Sequence, residues 1–439
     1  MPSTYELAVI GMGPAGIGVA AALQNSPIFL NTICFERGEE VNAKKCIAIY
    51  KYPCCNSNTC HIISGIGGAS SLSNGKLSLF PAGSGLKRFF ATEQELESLM
   101  ADVIQSLEID AGLKKVEIDK KVISDAKKFY LANDITYKYY DVYEFDGDKY
   151  RNYLASTIQS LTSHGLQLHA KADVISIERD DSNLWYTITV AENGVINFYK
   201  AKRIVLAVGS SQINNYLVSA LSGTKAINYE IGLRVELKSE CFGDHLDAHG
   251  DLKLISKSGR TYCVTRGGAI VSYRTDGYSL LEGYVDKNQL TDYSNLAVLV
   301  KADDEEELNK FFGNYYAFFG GVPVRQKYID YQLGNVSTGF VHTTLAKSQI
   351  GDINKMFPNS INEALREFID HVIVKTMHIE KEAITIVAPE LKTVVNFELT
   401  DHFEITSHLY VVGAATGKFR GILQSICSGV QCGKYILGE

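Results

Sequence analysis

The sequence predicts an α/β fold in which a sheet of parallel strands is interrupted by a second domain of mixed strands and helices. Three apolar runs predict the sheet: residues 7–10, residues 203–208 and the residues before Gly413. The first run leads through glycines into an Ala-rich helical pattern, and the third precedes another helical pattern. Strands that are buried on both faces of a parallel sheet are apolar throughout, as these runs are.

The order of these patterns divides the chain into five predicted segments. Three of them form one nucleotide-binding domain: 1–86, 146–225 and 401–439. Residues 87–145, helical at first and then rich in tyrosine, are expected to form a small α+β insertion. Residues 226–400 mix strand and helix patterns, which is typical of a separate α+β substrate domain.

The first turn carries the spacing Gly11-x-Gly13-x-x-Gly16 between the first predicted strand and helix. Gly11 permits the tight turn, Gly13 lets backbone approach a pyrophosphate, and Gly16 lets the helix pack closely on the sheet. Pro14 and Ala15 begin the helix, whose unpaired N–H groups attract that pyrophosphate. Because a strand precedes the motif and a helix follows it, the turn predicts dinucleotide binding.

The second predicted strand ends at Glu36 and Arg37. Glu36 lies twenty residues beyond Gly16, where an acidic side chain can accept hydrogen bonds from the adenosine ribose. A secretory signal peptide is the alternative interpretation of the uncharged residues 7–23. It is disfavoured because Glu6 stands where basic residues should precede, and because glycines interrupt the apolar stretch.

A Gly- and Ser-rich segment follows at residues 64–77. Backbone amides and hydroxyls in such a segment can approach a ligand closely, which makes Gly67, Gly68, Ala69 and Ser73 candidate cofactor contacts. A flexible linker is the alternative, but the segment contains isoleucine and leucine, whereas linkers are polar.

Further candidate cofactor contacts lie at the ends of later strands and at the start of the closing helix. They are Val174, Ala207, Gly209, Gly413, Gly421 and Ile422.

Composition excludes several classes of protein. The chain has 439 residues, 46% of them hydrophobic and 21% charged, as in ordinary globular proteins. A net charge of −7 disfavours nucleic acid as a partner. No apolar segment reaches membrane-spanning length, so a membrane protein is not expected. Nine cysteines cannot all pair within one chain, and without a signal peptide we expect free thiols and a cytoplasmic location.

Taken together, these blocks resemble the large class of flavoproteins with a Rossmann-like FAD domain of the glutathione-reductase type. Within it the chain is similar to a group known as FAD-dependent dehydrogenases, which carry a Cys-rich loop and a segment like SGFGGAGAFSDGKL. Residues 64–77 read SGIGGASSLSNGKL, and residues 260–268 read RTYCVTRGG where the group tends to show RTFCxCPGG. The resemblance implies an FAD-dependent oxidoreductase that transfers a hydride between a small organic substrate and flavin.

The chain departs from that group at two positions. Thr265 replaces the second cysteine of the late motif, which excludes a redox pair with Cys263. Ala414 stands where such flavoproteins often place an acid that binds the ribityl chain, so flavin binding is expected to depend more on backbone contacts. Only one GxGxxG turn with its acid is present, so any NAD(P)H would bind transiently.

Four side chains are candidates for a catalytic role: Lys76, Arg266, Arg420 and Cys60. Lys76 could stabilise reduced-flavin charge or bind an anionic substrate, and its alternative is a solvated surface lysine. Either arginine could bind a substrate carboxylate through two parallel hydrogen bonds, or form a structural ion pair. The closing helix, which begins near Gly421, could stabilise negative charge on the reduced flavin ring.

The Cys-rich loop that contains Cys46, Cys54, Cys55 and Cys60 has three interpretations. It could hold a metal or cluster, although its spacing gives no pair of CxxC motifs. It could carry redox thiols near the flavin. Its cysteines could also simply pack as small hydrophobic residues, which is the interpretation we favour, with no metal ligands assigned.

Three other features leave alternatives open. A protein that binds flavin or a nucleotide without turnover is the alternative to an enzyme. The aromatic residues 311–331 predict core packing, with a substrate-lining role as the minority interpretation. His245 and His249 have HxxxH spacing but lack the adjacent glutamate of zinc proteases, so we predict a surface loop there.

Overall fold

The computed structural model describes residues 3–50, 52, 54–55, 59–72, 75–180, 185–210, 225–275, 277–286, 288–302 and 304–438. The strands are, in chain order, β1 (Ser3–Ile10), β2 (Thr32–Glu36), β3 (Lys76–Ser78), β4 (Lys114–Lys115), β5 (Thr136–Lys138), β6 (Val142–Glu144), β7 (Gln167–Ala170), β8 (Ala172–Asp180), β9 (Trp185–Glu192), β10 (Val195–Leu206), β11 (Lys225–Lys238), β12 (Lys253–Ser256), β13 (Gly259–Thr265), β14 (Ala269–Thr275), β15 (Tyr278–Tyr284), β16 (Tyr293–Ala302), β17 (Val324–Lys327), β18 (Gln349–Ile350), β19 (Thr385–Phe397), β20 (Glu404–Thr406) and β21 (Leu409–Val411).

The α-helices of these residues are α1 (Pro14–Leu23), α2 (Glu93–Asp110), α3 (Lys120–Leu131), α4 (Gly147–Ser163), α5 (Glu305–Phe319), α6 (Tyr328–Leu333), α7 (Asn359–Phe368) and α8 (Ile422–Gly438). Helix α7 continues into a π-helical stretch, Ile369–Thr376. Within the described part of the chain, none of the helices combines the length and apolar character needed to cross a bilayer.

The first sheet has the order β20-β21-β10-β1-β2-β7, and β8 and β9 form an antiparallel extension of β10. Strands β21, β10, β1, β2 and β7 run parallel to their neighbours. The predicted run at 7–10 is at most 3% exposed, as expected for a strand covered on both faces. The predicted α/β class, with a strand, helix α1 and a second strand at its start, is confirmed.

Helices α1 and α8 pack against each other through glycines. A Cβ atom on Gly429 would lie 2.0 Å from the carbonyl oxygen of Ala15, and one on Gly18 would lie 2.5 Å from that of Ile426. The two backbones can approach this closely only without side chains. The closing helix is thereby held against the helix that begins at the glycine turn.

The second sheet has the order β18-β17-β19-β11-β16-β13-β12-β5 and is mostly antiparallel. The hairpin β14-β15 lies beside it. The second sheet has a hydrophobic core of its own, which includes residues of helices α5 and α7. The mixture of strands and helices predicted for residues 226–400 is therefore present in the structure.

Residues 87–145, predicted as a small insertion, divide between the two cores. Helix α2 packs in the core of the first sheet, whereas Tyr130 and Tyr137 pack in the core of the second. Strand β5 extends the second sheet through β12. Helix α3 precedes this strand, and Tyr130 is its one buried residue.

Several predicted helices are confirmed with their ends. Helix α2 begins after Thr92, whose side chain accepts a hydrogen bond from the N–H of Glu95. Helix α5 begins after Asp304 with three glutamates in its first turn, as the acidic run predicted. The predicted run at 203–208 needs correction: its first four residues end a longer strand, β10, which begins at Val195 and pairs with both β9 and the parallel sheet.

Candidate functional site

A single cavity of about 560 Å³ connects the two sheets. It opens at the carboxyl ends of β1, β10 and β21, which is where parallel α/β sheets bind their ligands. Its wall includes most of the residues that the sequence predicted as cofactor contacts. They are Gly11, Gly13, Pro14, Ala15, Glu36, Arg37, Gly68, Ala69, Val174, Ala207, Gly209, Gly413, Gly421 and Ile422.

The glycine turn is shaped by close backbone contacts. Gly11 has φ +96°, and a Cβ atom there would lie 2.6 Å from the carbonyl oxygen of Ala207. Gly16 does not line the cavity; its Cβ would lie 2.0 Å from the carbonyl oxygen of Gly11. Gly16 therefore holds helix α1 against the turn, which is the packing role that the motif predicts.

Gly13 faces the Gly- and Ser-rich segment across the cavity. A Cβ on Gly13 would lie 3.8 Å from the Cα atom of Gly68, in a space that the backbone alone leaves open. The N–H of Gly67 donates to the carbonyl of Met12 at 2.8 Å and fixes the two loops together. Gly67 itself faces Leu154 rather than the cavity. Ser73, also predicted as a contact, lies outside the described residues.

Glu36 binds protein backbone as well as lining the cavity. Its carboxylate accepts N–H groups from Met12 at 2.9 Å, Gly38 at 2.9 Å and Gly65 at 2.8 Å. It thereby joins the end of β2 to both loops. A carboxylate has about four acceptor positions, so room remains for a ribose hydroxyl. Neighbouring Arg37 donates from Nε to the Ser64 hydroxyl at 2.9 Å.

Lys44 is a buried residue of this region that the sequence did not single out. Only 4% of it is exposed, and its Nζ donates to the carbonyl of Gly68 at 2.6 Å. Burial lowers the pKa of Lys44 to about 8, although the Glu36 carboxylate acts to raise it. Lysines are common in polar loops, and no feature of the neighbouring sequence indicates that the Lys44 side chain is buried against the Gly- and Ser-rich segment.

The other half of the cavity is walled by the second sheet and is largely aromatic. Its rings are those of Tyr229, Tyr262, Tyr273, Tyr278, Tyr284 and Phe312. The aromatic stretch at 311–331 is thus mainly core, as predicted, with Phe311 and Tyr315 buried. Only Phe312 of that stretch reaches the cavity. The tyrosines were missed because they come from separate strands that carry no common motif.

Four charged side chains form a buried cluster in this wall. Arg234 lies 3.2 Å from Glu390 and 3.7 Å from Glu282, measured between Nη1 and the nearest carboxylate oxygen. Lys392 Nζ lies 2.9 Å from Glu282 and 3.1 Å from Glu390. The guanidinium also donates to the carbonyl of Cys263 at 2.7 Å. Glu282 and Lys392 line the cavity, whereas Arg234 and Glu390 lie behind them.

The cluster keeps its cavity-facing members charged. Burial acts to raise the pKa of Glu282, but the cations of Lys392 and Arg234 outweigh it and lower the pKa to about 2. Burial acts to lower the pKa of Lys392, but the two carboxylates hold it well above its usual value. Lys392 therefore serves as a hydrogen-bond donor and not as a base at neutral pH. Burial raises the pKa of nearby Cys263 to about 12, which disfavours its thiolate.

Of the four predicted catalytic residues, only Arg420 lines the cavity. Arg266 is mostly exposed, and its Nη1 pairs with Asp247 Oδ1 at 2.6 Å, away from the cavity. Cys60 is buried in the core of the second sheet. The structure thus gives Arg266 and Cys60 surroundings of the structural kind that the sequence left open as alternatives.

Lys76 also has a structural environment and does not line the cavity. Its Nζ donates to the carbonyls of Gly250 and Val264, each at 2.7 Å. Both acceptors belong to the second sheet's part of the chain, whereas Lys76 begins β3. The lysine therefore ties the Gly- and Ser-rich segment to the second sheet.

His249, next to one of these acceptors, is buried, so the predicted surface loop is wrong here. The prediction failed because residues 137–140 cover it: Tyr139 and Tyr140 pack their rings against the imidazole. Its Nδ1 accepts the N–H of Asp251 at 2.8 Å, which requires the neutral ring. Burial lowers its pKa to about 4, with Lys76 acting in the same direction and Asp251 and Asp141 opposing.

This environment predicts a loss of stability in mild acid. The folded-state pKa of His249 is depressed, so the contribution is present above the unfolded value near 6.5 and is lost as pH falls towards 4. The difference between the folded and unfolded pKa values of His249 corresponds to about 3 kcal/mol of stability. Urea unfolding between pH 7.5 and 4.5 should show this loss in the native protein and a smaller one in His249→Gln, which keeps an acceptor but does not titrate. An equal loss in both would contradict the assignment, and exposed His164→Gln serves as the control.

The Cys-rich loop does not bring its thiols to the cavity. None of Cys46, Cys54, Cys55 and Cys60 lines the wall, although Ile49, Ile62 and Ile63 from the same part of the chain do. Within the ranges that the structure describes, no three histidine, cysteine, aspartate or glutamate side chains form a group that could hold a metal ion. Burial raises the pKa of Cys46.

Comparison with protein-family models gives no match for this chain. Comparison with curated proteins by sequence gives no match either.

In three dimensions the chain is similar to several solved structures over nearly its whole length. A flavoprotein/dehydrogenase from Cytophaga hutchinsonii is 12% identical, with a TM-score of 0.39, 100% of this chain covered and 80% of the other. A geranylgeranyl bacteriochlorophyll reductase-like protein from Thermoplasma acidophilum is 11% identical, with a TM-score of 0.42, and the match covers 98% of this chain and 77% of the other. Glycine oxidase from Geobacillus kaustophilus is 14% identical, with a TM-score of 0.38, and the match covers 99% of this chain and 94% of the other. At TM-scores below 0.5, the function has to be argued from this chain's own residues.

Proposed function

We propose that this protein binds FAD in a Rossmann-like domain of the glutathione-reductase type and is an FAD-dependent oxidoreductase. One observation carries the proposal: a single cavity runs from the glycine turn at Gly11 and the acid Glu36, past the start of helix α8, to an aromatic wall in the second sheet. A dinucleotide motif and a separate apolar chamber share one space. That is the arrangement an enzyme needs when its cofactor must meet a substrate.

The residues along the cavity fit the parts of FAD in order. Glu36 and Arg37 would hold the adenosine ribose end. The pyrophosphate would lie at the N-terminus of helix α1, where Gly13 and Gly68 leave backbone space that a side chain would fill. The isoalloxazine would lie towards Gly413 and Ile422, where the N-terminus of helix α8 favours negative charge.

When bound, FAD would supply the hydride chemistry between a small organic substrate and the flavin. The chain's own residues would orient both partners and exclude water. The aromatic rings of the second sheet would hold the apolar part of the substrate. Arg420 would supply positive charge near the N-terminus of helix α8, where it would stabilise the reduced flavin.

The first test is the absorption spectrum of the purified protein. We expect the bands of oxidised flavin, either at purification or after reconstitution with FAD. Anaerobic bleaching by a panel of amines, hydroxy acids and nicotinamides would separate an enzyme from a protein that only binds flavin, and would show whether NAD(P)H acts as a transient reductant. A colourless protein that cannot be reconstituted would contradict the proposal.

A substitution at Gly13 tests where FAD binds. Gly13→Val places a side chain in the gap opposite Gly68, so FAD affinity should fall at least tenfold, or about 1.4 kcal/mol. Stability should fall by only about 1 kcal/mol, because valine is a poor helix N-cap but meets no close backbone. FAD titration by fluorescence and urea unfolding measure the two effects.

The control is Ala132→Val, which enlarges a side chain at an exposed position that ends helix α3. It should leave FAD affinity unchanged. Unaltered FAD affinity in Gly13→Val would show that the pyrophosphate does not bind at this turn.

A further inference from the structure

Glu282 and Lys392 place an acceptor and a donor side by side on the cavity wall. The carboxylate oxygen and the ammonium nitrogen lie 2.9 Å apart. The Glu282 side chain is 29% exposed because it opens onto the cavity, and the Lys392 side chain is 7% exposed. Both can therefore meet a ligand that fills the chamber.

The charges of this pair are already balanced within the protein. Arg234 and Glu390, both fully buried, lie directly behind this pair at 3.2 Å from each other, and burial raises the pKa of Glu390. A ligand carboxylate drawn to Lys392 would meet the negative charge of Glu282 at nearly the same distance. A ligand ammonium drawn to Glu282 would likewise meet Lys392. A charged head would lose its hydration and gain little net attraction.

A neutral polar head faces no such penalty. A neutral hydroxyl group can accept a hydrogen bond from the Lys392 ammonium and donate one to the Glu282 carboxylate. Hydrogen bonds to charged groups are stronger than those between two neutral groups. The surroundings add apolar contact. Tyr262, Tyr273 and Tyr284 line the same wall, as do Leu280 and Leu391.

We infer that this half of the cavity recognises an apolar, ring-bearing molecule with one neutral hydroxyl head, held between Glu282 and Lys392. The inference rests on the proposed function in calling that molecule the substrate. The recognition itself depends only on the chain's own residues. It assigns substrate selection to a pair that no sequence motif marks.

Three probes with one ring body and different heads test the inference: cinnamyl alcohol, cinnamate and cinnamylamine. Calorimetric titration of the purified protein should show that the alcohol binds at least about tenfold more tightly than either charged probe. Tighter binding of cinnamate would overturn the inference and assign the head to Arg420. Tighter binding of the amine, or failure of the alcohol to bind at millimolar concentration, would also overturn it.

Two variants should shift the charge preference in opposite directions. Glu282→Gln leaves the cations in excess, so the affinity for cinnamate relative to the alcohol should rise at least about tenfold. Lys392→Met leaves the anions in excess and should favour cinnamylamine in the same way. A purely structural role would weaken all three probes together, and that result would overturn the inference. If Lys392→Met does not fold, the native protein and Glu282→Gln still decide.

The control variant is Glu240→Gln, an exposed residue of the same domain that does not line the cavity. It should leave all three affinities unchanged. Calorimetry measures probe binding and absorbance measures bound flavin. A protein that prefers the alcohol but holds no FAD would therefore refute the proposed oxidoreductase function while leaving the recognition site in place.

Discussion

Replacing Gly429 by valine should destabilise the protein by at least about 3 kcal/mol and abolish FAD binding. A Cβ atom at this position would lie only 2.0 Å from the carbonyl oxygen of Ala15, and backbone cannot yield as a side chain can. Overpacking of this kind costs about 1–3 kcal/mol even where side chains can rearrange. Helices α1 and α8 would have to separate, which displaces the glycine turn from the rest of the cavity.

Urea unfolding and FAD fluorescence titration measure the two losses. The control is Gly313→Ala in helix α5, where a Cβ would meet nothing within 4 Å. Because alanine favours helix by about 1 kcal/mol over glycine, this variant should be slightly more stable than the native protein. A stable, flavin-binding Gly429→Val would show that the close packing of the two helices is not required.

Replacing Arg234 by methionine should cost about 3–5 kcal/mol of stability. Methionine has a similar length but leaves Glu282 and Glu390 with Lys392 as their one remaining cation in the cluster. Removing one partner from a buried ionic group is destabilising to this extent because the remaining charge is uncompensated. The lost bonds to the Cys263 carbonyl and to Asn295 add to the effect.

A second substitution separates the charge effect from the loss of packing. In Arg234→Met/Glu390→Gln the cluster again carries one cation and one anion, so about 1–3 kcal/mol should return relative to the single variant. Urea unfolding of the native protein, both single variants and the double variant gives the coupling energy directly. A coupling energy near zero would mean that the charge interaction of the guanidinium with Glu390 does not stabilise the fold.

The part of the cavity around the glycine turn could be predicted from the sequence to a large extent. Gly11, Gly13 and Glu36 belong to a contiguous pattern in which each spacing reflects one strand, one turn and one helix. Local rules of this kind can be applied to the sequence alone. They also gave the start of α1 at Pro14 and of α8 near Gly421, because the signals that begin a helix act locally.

The part of the cavity walled by the second sheet could not be predicted in this way. Arg234, Glu282 and Lys392 lie on β11, β15 and β19, which become neighbours only through the pairing of distant strands. Lys76 shows the converse: it stands in a motif-like segment, yet its ammonium binds backbone carbonyls of the second sheet. Charged residues reveal their partners only after the register of a sheet is fixed.

The contact of Gly18 with the turn of helix α8 at Ile426 has a consequence for synthesis on the ribosome. The glycine turn is synthesised long before the helix that packs against it. Domains assembled from distant parts of a chain cannot complete their core until the later part is available. On the proposed function, capture of FAD is therefore expected only after helix α8 has been synthesised, and deletion of helix α8 should release FAD before it disturbs the second sheet.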